Sequence, residues 1–102
     1  MGTHRVIIDG QEKNVRWDDK KDTWLKTSRR VGFEQAAAII EDDAALAVED
    51  HWNPARYPTQ RVYVLEIGGY VYLVPFVETP DEIFLKTIIP SRKATKRHLK
   101  GH

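Results

Sequence analysis

A chain of 102 residues with 41% hydrophobic and 30% charged residues has the balance of one folded domain, long enough for a single core and not for two. No apolar run approaches the roughly 18 residues of a membrane span, and no secretory leader is read; zero cysteines exclude disulfides and thiolate zinc sites, which fits a reducing cytoplasm. The net charge is only +1, but from residue 83 onward six bases stand with no acid, against ten bases and fifteen acids in the first 82 residues. Such asymmetry points to a polyanion as the partner of the basic end.

In chain order, "RVIIDG" (5–10) has the β-branched content and glycine stop of a strand leading to a hairpin, and "QEKNVRW" continues it as a second arm. "WDDKKDTWLKTSRR" predicts a helix near 19–29, capped by Asp18 or Asp19, with Trp17 and Trp24 anchoring it to a sheet. "VGFEQAAAIIEDD" predicts a second helix over 33–42, because Phe33, Ala36, Ala37 and Ile40 recur at i, i+3, i+4 and i+7. "ALAVED" reads as a short strand, and "HWNPARYPTQ" as a loop, since Asn53-Pro54 and Tyr57-Pro58 disfavour helix and ladder alike.

Three β-rich runs follow at 61–67, 70–78 and 82–89. Gly68-Gly69 is a two-residue hairpin signal, and "TPDE" (79–82) is a Pro-Asp turn. Pro75 lacks an N–H and predicts a bulge or an unpaired edge within its strand. Ser91 then caps a short basic helix on which Lys93, Lys96, Arg97 and Lys100 share one face, while Ile88, Ile89, Thr95 and Leu99 set it against the sheet. The fold class is α+β: an antiparallel sheet made of a three-stranded meander and N-terminal strands, with helices packed on one face.

"WDxxK" (Trp17, Asp18, Lys21), "FEQA" after Val31-Gly32, and "SRKAT" after an isoleucine-rich strand resemble the BrnT family of toxins. The resemblance spans roughly residues 15 to 100. It implies a RelE-like fold and a small cytoplasmic ribonuclease neutralised by an antitoxin, with a heterotetramer as the assembly of the pair. It also implies clustered Arg, Lys and Tyr residues, in some members with His or Glu, working on messenger RNA without cofactor or metal. Thr87 departs from the pattern, which carries an arginine there, and Lys86 beside it faces the other way.

RNA cleavage by the 2′-hydroxyl needs a base, positive charge for the developing phosphorane, and an acid for the leaving oxygen. The candidates for catalysis are Arg61, Arg92, Lys93, His51 and Tyr57. Arg56, Ser91, Lys96, Arg97 and Lys100 are the candidates for binding the nucleic acid, and Trp52 and Tyr57 either stack bases or close the loop over the core. No metal site is expected: His4, His51, His98 and His102 lack ligand spacing, and the acids at 41–43, 49 and 50 read as solvated turns. A ParE-like toxin without nuclease activity and a non-enzymatic nucleic-acid-binding module are the alternative functions.

Overall fold

A computed structural model describes residues 2–99. Strands β1 (Gly2–Ile8) and β2 (Gln11–Trp17) pair as an antiparallel hairpin. Its turn, Asp9-Gly10, has positive φ at both positions (53° and 78°), the left-handed geometry that matches strand twist. Helices α1 (Asp19–Ser28) and α2 (Phe33–Glu41) follow, then the short strand β3 (Ala47–Asp50). Strands β4 (Gln60–Ile67) and β5 (Tyr70–Glu78) are joined by Gly68-Gly69, again with φ positive twice (62° and 84°). The chain continues through β6 (Glu82–Leu85), β7 (Ile89–Pro90) and α3 (Arg92–His98). The sheet runs β1-β2-β6-β5-β4-β3, with β7 also on β5.

Four expectations are corrected, the last of them at Trp24. The sheet is mixed, because β2 and β6 pair in parallel. Parallel neighbours need a long connection, and everything from α1 to β5 lies between them. The run 82–89 is not one strand but β6 and β7, separated at residues 86–88. Pro75 is the cause: its carbonyl accepts from Lys86 N–H at 2.8 Å, so its missing N–H faces that same side, and the ladder to the third strand breaks there. The β4–β5 ladder runs on through the Val62–Pro75 pair. Thr87 sits in this break.

The helices also do not share one face. Tyr63 and Leu65 of β4, with Val74 and Phe76 of β5, join Leu25 of α1 and Phe33, Ala36, Ala37 and Ile40 of α2 in the main core. The neighbouring strand residues Val64 and Val71 join Ala94 of α3 in a second, smaller cluster with Ala47, Leu73 and Leu99 packed on it. Alternate strand residues point to opposite faces, so α3 lies on the reverse of the sheet.

Local chemistry sets α1 and α2. Asp18 caps α1, accepting from Lys20 N–H at 2.8 Å. The N-cap of α2 is Gly32, which has no capping side chain; Asp22 of α1 supplies the acceptor instead, taking Phe33 N–H at 2.9 Å while its other oxygen pairs with Lys26 at 2.9 Å. A Cβ at Gly32 would come within 2.8 Å of Lys26 Cε, the movable end of that side chain, and within 3.2 Å of the capping oxygen of Asp22. Trp17 is buried and stacks on Phe33 at 5.9 Å, as an anchor should. Trp24 does not anchor: it is exposed, with Lys21 and Arg29 over its ring at 4.7 and 4.9 Å, and Leu25 is the buried residue beside it.

Candidate nucleic-acid interface

Helix α3 is pinned to β5 by short-range bonds. Ser91 is extended; its Oγ accepts Ala94 N–H at 3.0 Å, and its N–H donates to Val71 O at 3.0 Å. Thr95 Oγ1 donates to Ser91 O at 2.7 Å and accepts Val71 N–H at 2.9 Å. Ala94 is buried against the sheet, where its small side chain lets the helix come close. With Ala94 and Thr95 turned inward, the basic residues are left on the exposed sides. Lys93 and Arg97, one turn apart, line a groove of about 200 Å³ with Ser91, Trp52, Glu49 and Asp50, over a floor of Val62 and Leu73. Arg97 reaches across to Glu49, 3.3 Å away. Arg92 and Lys96 are exposed outside this lining. Lys100 lies outside the described residues.

The opposite wall is the loop after β3. His51 is buried in it, its ring stacked on Trp52 at 4.1 Å and tilted against Tyr57 at 4.7 Å. Asn53 tightens the loop: its N–H donates to His51 Nδ1 at 2.9 Å, and its carbonyl accepts Tyr57 N–H at 3.0 Å. The Arg56 guanidinium lies 5.4 Å from the centre of the Tyr57 ring. The stack presents Trp52, 57% exposed, as a plate beside the cations of α3. With Nδ1 accepting, a neutral His51 carries its proton on Nε2 and has no free lone pair with which to take another. Its ring backs that of Trp52.

Of the sequence-predicted residues, the structure thus brings together Ser91, Lys93 and Arg97, with His51, Tyr57 and Arg56 behind the Trp52 wall. It does not bring Arg61. Arg61 is next to Val62 on β4 and faces the reverse side, in a cleft with Tyr63, Phe76 and Glu78. There the Tyr63 phenol is pushed up to about 12 by burial, with the Glu78 carboxylate adding to the rise and Arg61 opposing it. Glu78 also receives a hydrogen bond from Lys13, whose ammonium reaches Thr79 O at 3.1 Å. Sequence reasoning missed Glu49 and Asp50 as groove residues; the alternation of "AVED" could have signalled Glu49, opposite Val62, but not Asp50 next to it, which lines the groove from the end of β3. Among the described residues no three His, Cys, Asp or Glu side chains are grouped to hold a metal ion. No helix among them is long and apolar enough to cross a membrane.

A groove that brings Lys93 and Arg97 beside an exposed indole, with Glu49 and Asp50 on its other side, and that continues into the exposed Arg92 and Lys96 of α3, has the makings of a nucleic-acid-binding surface. The sequence profile of the ribonuclease toxin BrnT, of type II toxin–antitoxin systems, matches residues 17–98, and the chain belongs to this family. Its class is therefore that of a ribonuclease toxin, with RNA as substrate and an antitoxin as partner. The match begins at Trp17, so nearly the whole β1–β2 hairpin precedes it. No curated protein and no solved structure matches the chain.

Proposed function

We propose that the chain cleaves RNA in the groove between α3 and the His51–Tyr57 loop, by attack of a 2′-hydroxyl on the adjacent phosphate. The observation that carries this is the lining of one groove by Lys93, Arg97 and Trp52. Lys93 and Arg97 hold the phosphate and meet the charge that builds on its oxygens. Trp52 stacks a base, with His51 and Tyr57 bracing it from behind. Asp50 is the exposed groove carboxylate that can take the 2′ proton, and Lys93 can return one to the departing oxygen. The new P–O2′ bond replaces P–O5′, which leaves a cyclic 2′,3′-phosphate and a free 5′-hydroxyl. No metal enters this step, because the two cations supply the charge. Arg92 and Lys96 extend the phosphate track, as does Arg56 at the loop. Arg61 faces the other side of the sheet and takes no part. In this reading residues 1–102 act as one RelE-like cytoplasmic domain that pairs with its antitoxin in a heterotetramer.

The test is incubation of purified protein with an RNA and with the same strand carrying 2′-O-methyl groups, in the presence of chelator. Cleavage of the first alone, with cyclic phosphate ends, is the expected result. Cleavage that requires added divalent ions would overturn the mechanism. Salt-dependent binding without any cleavage would make this chain a nucleic-acid-binding module, and toxicity without either would favour a ParE-like action on another target.

A further inference from the structure

The reverse face carries a larger cleft, about 460 Å³, between the tip of the β1–β2 hairpin, the end of α2 and the β3–β4 edge. Apolar side chains form part of its inner wall: the Phe76 and Tyr63 rings, stacked at 4.1 Å, with Ile8 and Ile40 also in the lining. Ile7 and Val48 stand at its mouth, 66% and 41% exposed. Both are on the two edge strands of the sheet, β1 and β3. The rim is acidic. Asp9, Glu41, Asp43 and Glu78 line it against a single base, Arg61. Glu41 and Glu78 bond to His4 and Lys13, whereas Asp9 and Asp43 are exposed and belong to no ion pair among the described residues.

Exposed aliphatic side chains around a concave apolar surface mark an interaction site. The carboxylates decide what it takes: they repel phosphate and favour a cationic occupant. We propose that this cleft anchors the antitoxin, receiving a segment whose aliphatic side chains are flanked by Lys or Arg. Two strands place it away from the RNA groove. Val48 and Arg61 line the cleft, while the next residues along, Glu49 and Val62, line the groove. The anchor and the RNA site are therefore separable by substitution. The inference rests on membership of a toxin–antitoxin family and not on the RNA groove.

The experiment measures affinity for the antitoxin encoded beside this chain's gene, together with RNA cleavage, for wild type and three double variants. Ile7→Ser with Val48→Ser removes the apolar mouth. Asp9→Asn with Asp43→Asn removes charge while keeping a residue that tolerates their positive φ (53° and 54°). Lys93→Ala with Arg97→Ala strips the groove. The first should weaken antitoxin binding at least about tenfold, and the second about threefold at low salt with a shallower salt dependence, both with RNA cleavage kept. The third should lose RNA and bind antitoxin within about twofold of wild type. Wild-type antitoxin affinity in both cleft variants overturns the proposal, as does loss of antitoxin binding in the groove variant alone. If wild-type protein neither binds nor cuts RNA, the groove reading fails while the antitoxin comparison still stands. All six positions are exposed, so matched thermal unfolding midpoints are expected for all four proteins.

Discussion

The two faces of the sheet are covered in different ways. One carries α1 and α2 and a core of aromatic and aliphatic side chains centred on Phe33, Phe76 and Leu65. Among the described residues, the other carries only α3, a helix of 7 residues, held by Ala94, part of Leu99 and the paired bonds of Thr95. The first face has the area to stabilise the fold. The second is thin, and its covering helix gives most of its surface to cations and water. That division lets the basic residues of α3 change without removing much of what holds the chain together. It also explains how a chain of net charge +1 presents one cationic face and one acid-rimmed cleft.

Substitutions on the two faces should separate accordingly. Phe33→Ala deletes a fully buried ring that stacks on Trp17, and should cost about 3–5 kcal/mol in urea unfolding. Ser91→Ala removes the cap of α3 and should cost about 0.5–2 kcal/mol by the same measurement. Equal losses from the two would break the comparison. The smallest effect appears only in alkali. The Tyr63 phenol lies near 12 in the folded chain against 10.0 when free, so its neutral form is favoured by folding. Its contribution is fully present below about pH 10 and is lost as pH rises towards 12. Tyr63→Phe should lack that step: comparing urea midpoints at pH 9 and pH 11, wild type should lose more stability than the variant.

Much of this architecture was legible because it is local. Gly68-Gly69 made its hairpin, the stripe from Phe33 to Ile40 met the core, and Asp18 and Ser91 capped the helices that follow them. What was not legible depends on neighbours distant in sequence. The parallel contact of β2 with β6 joins residues such as Val15 and Ile83, and no local pattern encodes it. Pro75 was read as an interruption, but which neighbour it would fail could not be known before the strand order was. The face taken by α3 did leave a trace: "VYVL" and "YLVPFV" are continuous apolar runs rather than alternating ones, the mark of strands covered on both sides. Strand parity puts Arg61 and Val62 on opposite faces, but only the position of α3 shows that this separates Arg61 from the C-terminal cations. His51 was read as one of several catalytic candidates in a loop; the Asn53 N–H that occupies Nδ1 is a detail of loop closure that composition does not carry.

The central claim is that α3 and Trp52 form the RNA surface, and a salt titration of RNA affinity tests it most directly. Wild type and Lys93→Ala/Arg97→Ala are compared on one single-stranded RNA. The account predicts weaker binding and a log–log salt slope shallower by about 1.4, roughly 0.7 for each lost phosphate contact, with the unfolding midpoint unchanged. Unchanged affinity and slope in a folded variant would contradict it.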